Sequence, residues 1–534
     1  MSEPRPLIAG FLASATQFPD RPALSIQSDQ WTYADLHQRA SDITHTISAH
    51  AEAGFPDLVG VFGHRSVAAF SGVVSALLGG GAYVPLNPTF PSERTLQMVE
   101  RAALTWIVAE REALADLLQI LQSVSRPVSI IVPDFLPEDG SISLPEGCGQ
   151  HRLIGAEDLL SQGLVGLPDI DSDQLAYLLF TSGSTGIPKG VKVKQSNVAA
   201  FVDVMVERYG VNENDRLSQT FDLTFDLSAF DMFVAWERGA CVCCPTLGEK
   251  MLPAKYVKSQ ALTIWFSVPS TAIMMKRLRM LKPDSYPTLR YSLFCGEALP
   301  LDVTEAFQLS APDSIVENLY GPTELTIACT LYRYNQKTTA GESQLGVVPI
   351  GYPYPNMTVL IVDETLHEVA VGEAGELLMT GPQLSAGYWQ DEEKTAAAFV
   401  VPPGKNEVFY RTGDRVKQVS DKAPLLYLGR VDNQIKVQGY RVELGEIEAV
   451  LRDVAQADIA IAIGYPEGIE GAEGIIAFVS PSAIADKQVS AAAAEHLPGY
   501  MQPRDLIRVE EFPLNANGKV DRRALLNSYV KQGG

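Results

Sequence analysis

Residues Leu178–Gly190 read LLFTSGSTGIPKG, an apolar run that opens into hydroxyls and glycines and closes on a lysine. Glycines let the backbone approach an anion closely and aim successive N–H groups at it. Ser182, Ser184 and Thr185 add hydroxyl donors, and Lys189 adds a compact positive charge. The chemistry suits phosphate. It is not the G-x-x-x-x-G-K-[ST] loop, because Pro188 stands five residues after Gly183, where that pattern needs glycine. Loops rich in glycine, serine and threonine are also common surface turns, and composition alone leaves both readings open.

Six cysteines in 534 residues are too few for a disulfide framework, and their placement lacks paired spacing. That pattern fits a reducing cytoplasm. Cys241 and Cys244 form a lone C-x-x-C with no second pair and no nearby histidine, so they read as buried structural thiols rather than a metal or redox site.

The elements that must carry such a loop follow from the hydrophobic pattern. Short β-rich runs, Leu58–Phe62 and Gln174–Phe180, alternate with amphipathic stretches, Ser66–Leu78 and Ser196–Tyr209. This predicts α/β layers with largely parallel sheets. Ser196 is expected at the N-cap of the helix that ends before Gly210 at C′. The apolar Leu7–Ala15 resembles a secretory leader, but Glu3 dilutes its basic flank and the apolar pattern continues, as in a first helix docking on its own domain. No run reaches the roughly 18 apolar residues of a membrane span. The length allows two or three domains, and the pattern changes near Asp432. A formal charge of -22 disfavours nucleic acid and anionic lipid as partners.

The string TSGSTGIPKG resembles the phosphate loop of the adenylate-forming superfamily, and further similar motifs follow in order along nearly the whole chain. Trp31–Leu36 (WTYADL) and Leu77–Leu86 (LLGGGAYVPL) resemble two early structural motifs of that family. Asn318–Glu324 (NLYGPTE) is similar to its nucleotide segment and Tyr410–Asp414 (YRTGD) to its ribose segment. Gly429–Gly439 (GRVDNQIKVQG) resembles its hinge and Pro513–Lys519 (PLNANGK) its tail lysine motif. The resemblance implies an α/β adenylate-forming fold. Residues 1–431 would form a large N-terminal domain of layered sheets with a β-barrel-like part, and residues 432–534 a small mobile α+β domain hinged at Asp432.

The reaction so implied is attack of a carboxylate on the α-phosphorus of ATP, then transfer of the acyl group to a thiol. Two anions meet in the first step, so positive charge and alignment matter more than acid–base chemistry. By resemblance Lys519, Glu324 and Thr323 are the catalytic residues, with Glu324 holding Mg²⁺. Thr181, Ser182, Gly183, Ser184, Thr185, Gly186 and Lys189 would contact ATP phosphates. Gly296, Glu297, Ala298, Asn318, Leu319, Tyr320 and Gly321 would surround the nucleotide, with Asn318 hydrogen-bonding and Tyr320 stacking on adenine. Asp414 would bind the ribose hydroxyls, and Arg430 would lie near ribose or phosphate.

Phe225-Asp226-Leu227-Ser228 is similar to the segment of amino-acid adenylation domains whose aspartate binds the substrate ammonium. Asp222 sits in a duplicated Phe-Asp-Leu four residues earlier, but Asp226 fits the register better. The pocket carried over is Asp226, Leu227, Phe230, Ser267, Leu293, Cys295, Leu319, Ile327 and Ala328, closed by Lys519. Ser292–Leu299 (SLFCGEAL) resembles D-alanine:carrier-protein ligases in particular. The small, aliphatic lining favours a small neutral amino acid, alanine or proline. No Gly-Gly-x-Ser phosphopantetheine site occurs, so the expected acceptor is a separate, acidic peptidyl carrier protein. An acyl- or aryl-CoA ligase and a catalytically idle homologue are the competing readings.

Overall fold

The computed structural model describes residues 5–27, 29–135, 144, 147–182, 188–431, 434–468, 471–514 and 520–531. Strands Leu58–Phe62 and Ala82–Leu86 are buried at every residue and pair in parallel, as strands covered on both faces must. They lie within a seven-stranded sheet whose last member, Lys189–Lys194, returns antiparallel to Leu175–Thr181. The hydroxyl-rich loop therefore joins two strands of a hairpin. A nine-stranded sheet is parallel through its centre, from Pro22–Ile26 to Ile315–Tyr320, and antiparallel at both edges. One apolar core joins side chains of both sheets.

Helix Val67–Leu78 lies in that core and is buried at every position except Val67. The amphipathic reading of it is therefore corrected: a helix packed on all sides carries no solvent stripe. Ser66 caps it, accepting the Ala69 N–H at 3.2 Å. In the helix Gln195–Tyr209 the expected Ser196 cap is also corrected. Its hydroxyl turns to Asp173 at 3.5 Å, while Asn197 reaches back to accept the N–H of Lys194, the residue at the cap. Gly210 closes this helix as expected, in the left-handed region at φ 53°. The leader-like N-terminal stretch forms helix Ala9–Gln17, and Phe11 is packed on Tyr33 and Trp236.

An antiparallel five-stranded sheet around Phe409–Lys417 supplies the barrel-like part. After Leu426–Arg430 the chain leaves that sheet, and Gln434–Val437 starts a smaller one with its own apolar cluster. All six cysteines are free and buried. Among the described residues no helix is long and apolar enough to cross a membrane.

The motif residues gather at strand ends. Leu175–Thr181, Tyr291–Phe294 and Ile315–Tyr320 run respectively into Ser182, Cys295-Gly296-Glu297 and Gly321–Glu324, the edge where parallel α/β sheets place ligands. The third strand is anchored by Glu317, fully buried, which accepts from Arg208 Nε (3.0 Å), Arg333 Nε (2.8 Å) and the Tyr209 hydroxyl (3.0 Å). Burial alone would raise its carboxyl; the two guanidinium groups outweigh this and hold it below the usual range. Removing one member of a buried ion network leaves the others uncompensated. Glu317→Ala is accordingly expected to cost about 3 kcal/mol, read as a lower midpoint in chemical unfolding. An unchanged midpoint would contradict the anchoring role.

Candidate active site

Asp226 begins the short helix Leu227–Ala229, which runs on as a π-turn through Phe230–Val234. Its side chain does not cap that helix. The carboxyl is 3% exposed, and Oδ2 is buried with no hydrogen-bond partner among the described residues. Burial pushes it up to about 7, against the downward pull of the Thr323 hydroxyl and the backbone N–H groups of Ile327 and Leu227. Asp222, by contrast, is satisfied by the Thr224 N–H (2.9 Å), the Thr224 hydroxyl (2.5 Å) and His64 Nδ1 (2.9 Å). The geometry separates the duplicated pair: Asp222 is bonded, and Asp226 waits for a donor.

Asp226 faces a cavity of about 60 Å³ shared with Leu227, Cys295, Tyr320, Thr323, Asp414 and Arg430. A smaller adjoining cavity is lined by Gly296, Glu297, Ala298, Leu319, Tyr320 and Gly321. Of the expected substrate pocket, Phe230, Ser267, Leu293, Ile327 and Ala328 are buried but do not line the first cavity. They pack in the core with Leu227, Cys295 and Leu319, apart from Ser267, whose hydroxyl accepts from Trp265 at 3.0 Å. Thr326 and Ile327 both have positive φ, at 55° and 74°, a costly conformation for β-branched residues. Gln383 holds this turn, its amide donating to the carbonyls of Leu325, Thr326 and Ala328 at 2.6–3.2 Å.

The Asn318 amide nitrogen donates to the Val348 and Pro349 carbonyls at 3.3 and 2.9 Å, while its Oδ1 is buried with no hydrogen-bond partner among the described residues, an acceptor open to an amino group. Tyr320 donates to Asp414 Oδ2 at 2.5 Å, and Arg430 Nη1 reaches Asp414 Oδ1 at 3.0 Å. The residues expected at ribose, Asp414 and Arg430, and Tyr320, expected at adenine, are thus one bonded trio at the cavity wall.

Glu324 is completely buried. Arg441 Nη1 lies 3.1 Å from Oε2, Lys189 Nζ lies 3.5 Å from Oε1, and the Tyr388 hydroxyl donates to Oε1 at 2.7 Å. Burial would raise this carboxyl; Arg441 first and Lys189 second outweigh it, to about 2. An ionised, buried oxygen donor of this kind fits a hard divalent cation. The Ser182 hydroxyl donates to the Arg441 carbonyl at 2.6 Å, and Glu297 accepts the Gly439 N–H at 2.5 Å. Gly439 crosses at φ 86°, where a Cβ would stand 2.3 Å from Val268, so glycine is required there. Thr181 ends its strand beside these groups. Gly183, Ser184, Thr185, Gly186, Asp432 and Lys519 lie outside the described residues.

Sequence reasoning missed Arg441 and Lys436 as site residues. Both are basic positions in the motif segments around Gly439, and both line the cavity. Tyr388 carried no signal, since only folding brings it to Glu324.

Comparison with known proteins agrees with this geometry. Residues 11–389 match the AMP-binding enzyme family and residues 446–519 the AMP-binding enzyme C-terminal domain. The chain belongs to the AMP-binding enzyme family. It is 33% identical over 522 residues to tyrocidine synthase 3 of Brevibacillus parabrevis, covering 96% of this chain and 7% of the synthase. It is 30% identical to gramicidin S synthase 1 of Brevibacillus brevis, covering 96% of this chain and 44% of that one. The chain thus spans less than half the length of either synthase. The Vibrio cholerae adenylation domain AlmE, solved with glycyl-adenosine-5′-phosphate, superposes with a TM-score of 0.88 at 30% identity over 98% of both chains. In sequence and fold it is similar to adenylation domains.

The Asp226 carboxyl sets a pH dependence. Its folded value of about 7 exceeds the unfolded value of about 4, so the folded state binds the extra proton between those limits. Its ionisation therefore destabilises the ligand-free protein as pH rises through that window. Only the carboxylate pairs with a cation, so the affinity for any ammonium-bearing ligand placed there is expected to fall about tenfold per unit below pH 7. Asp226→Asn is expected to raise the ligand-free melting temperature at pH 8. A fall in that temperature would contradict the account.

Proposed function

We propose that this chain activates a small neutral amino acid as its aminoacyl-adenylate and passes the acyl group to the phosphopantetheine thiol of a separate carrier protein. The observation that carries this reading is the buried Asp226 oxygen without a donor. A buried carboxylate left unpaired is costly, and an ammonium-bearing substrate removes the cost. Fatty-acyl and aryl substrates bring no cation, which disfavours an acyl- or aryl-CoA ligase. The intact Glu324 and Asp414 clusters, together with Lys519 in the sequence, argue against an idle homologue.

In the first step a carboxylate oxygen forms a bond to the α-phosphorus of ATP and pyrophosphate leaves. Asp226 fixes the ammonium and so aims the carboxylate. Lys189 offsets phosphate charge, and Asp414 with Tyr320 and Arg430 orients the ribose. Glu324 would hold Mg²⁺, which when bound neutralises phosphate charge. Lys519 would stabilise the charge gathering between the two anions. In the second step a thiol sulfur attacks the acyl carbonyl and AMP leaves.

Residues 1–431 and 432–534 are proposed as two domains that reorient about Asp432 between these steps. The arrangement described here, with Arg441 and Gly439 at the site, suits the second step. Retraction of Arg441 would leave Glu324 with Lys189 and an oxygen open to a cation.

For the amino acid, the proposal stays with alanine or proline. Glycine enters as a second reading on two supports, the small cavity and the glycyl-adenylate held by AlmE. One methylene is worth about 1–3 kcal/mol of discrimination, so exchange rates rather than geometry must rank them. ATP–pyrophosphate exchange across D- and L-alanine, proline, glycine, serine, benzoate and octanoate is expected to respond to one or more small amino acids only. Lys519→Ala is expected to lower that exchange by about 100-fold or more. Exchange with benzoate or octanoate alone would overturn the amino-acid reading, and intact exchange in Lys519→Ala would overturn the role of the lysine.

A further inference from the structure

The Ile327 N–H that reaches Asp226 belongs to a strained turn. The Ala328 N–H bonds back to the Thr326 carbonyl at 2.9 Å across Ile327, which stands at φ 74°. This is a γ-turn of the rare, strained hand. A β-branched residue is at its centre, and Thr326 before it is also left-handed, at φ 55°. The chain closes tightly on the turn: a Cβ on Gly321 would stand 2.5 Å from the Ala328 Cα. Such a conformation persists only where its surroundings dictate it.

Those surroundings come from one segment more than fifty residues further along the chain. Gln383 is buried, and its amide nitrogen donates to the carbonyls of Leu325, Thr326 and Ala328 at 3.2, 3.1 and 2.6 Å. In return the Thr326 hydroxyl donates to the Gln383 carbonyl at 2.7 Å, and the Ser385 N–H to the Glu324 carbonyl at 2.9 Å. Gln383 is itself held from outside. The Asn197 amide donates to the Pro382 and Leu384 carbonyls on either side of it, at 2.7 and 3.1 Å. Backbone carbonyls only accept, so the place that Gln383 fills requires a donor. Its side chain lies behind the turn, outside the lining of both site cavities.

We propose that Gln383 is a positioning residue for the amino acid: its amide holds the Thr326–Ala328 turn in the strained form that keeps the Ile327 N–H on Asp226, and so fixes the carboxylate that meets the ammonium. The inference rests on the proposed pairing of Asp226 with an ammonium and adds the residue that makes the pairing geometry rigid. Relaxation of Ile327 to an ordinary φ re-aims the peptide groups on both sides of it and takes its N–H off Asp226. The carboxylate then loses a fixed donor and its fixed direction, and the ligand it aims loses alignment.

The test measures ATP–pyrophosphate exchange by the full chain and its variants with whichever small amino acid the wild type uses best. Gln383→Met keeps the bulk and removes the donors. It is expected to raise amino-acid KM about tenfold, the size of one or two lost hydrogen bonds, with kcat changed less and ATP KM unchanged. Gln383→Glu sets an acceptor against three carbonyls and is expected to raise amino-acid KM further. Glycine adopts positive φ freely, so Ile327→Gly removes the need for the pin. Adding Gln383→Met to Ile327→Gly is expected to change amino-acid KM by less than about threefold. A purely structural role would lower the unfolding midpoint without this split between substrates and without this rescue. Unchanged amino-acid KM in Gln383→Met, an equal rise in ATP KM, or an undiminished effect in the Ile327→Gly background overturns the positioning role and leaves the amino-acid reading intact. If Gln383→Met does not fold alone, matching amino-acid KM in Ile327→Gly and Ile327→Gly/Gln383→Met supports the role, and a large gap between them overturns it. Exchange driven by benzoate or octanoate alone overturns the amino-acid reading, and this inference with it.

Discussion

A carboxyl group has been taken out of water and left one bond short. Asp226 is held by the turn into the π-helical segment, walled by Leu227 and Cys295, and contacted from across the site by Thr323 and Ile327. In an apolar setting such a group is stable only when protonated or paired. The fold around it is arranged so that pairing needs a cation from outside. Gln383 pins the strained Thr326–Ile327 turn, and Glu317 anchors the strand that precedes it. The proposed pairing with an ammonium and the cost of the unpaired carboxylate are therefore the same physical fact.

Around this point the charges alternate in sign. Glu324 is ionised because Arg441 and Lys189 stand beside it, and Asp414 is bridged by Tyr320 and Arg430. Three of the contacts that hold the C-terminal segment in place are polar: Gly439 to Glu297 and Arg94 to Glu446 (2.6 Å), both buried, and Arg441 to Glu324, half-buried on the arginine side. Buried polar contacts are strong when complete and expensive when broken. They suit two discrete domain arrangements better than a continuous drift. The stacked Tyr440 and Tyr500, 3.9 Å apart, add an aromatic contact on the same side.

Much of this was legible in the chain itself. The parallel strands and the Gly210 helix end follow from local pattern. What failed did so for tertiary reasons. Ser196 lost the cap because Asp173, distant in sequence, took its hydroxyl. Helix Val67–Leu78 lost its solvent face because the seven-stranded sheet and helix Tyr33–His50 close on it. Arg441 and Tyr388 reach Glu324 only through the folded arrangement, so no spacing rule along the chain announces them.

The central claim concerns the proton on Asp226, and calorimetry can count it. Binding of an accepted amino acid, measured at pH 7 in buffers of different ionisation enthalpy, is expected to release roughly half a proton per ligand as the ammonium replaces it. Asp226→Asn is expected to show no such release with any amino acid that still binds. Binding by the wild type with no buffer dependence would mean that the carboxyl is already ionised or does not meet the ammonium, and would contradict the account.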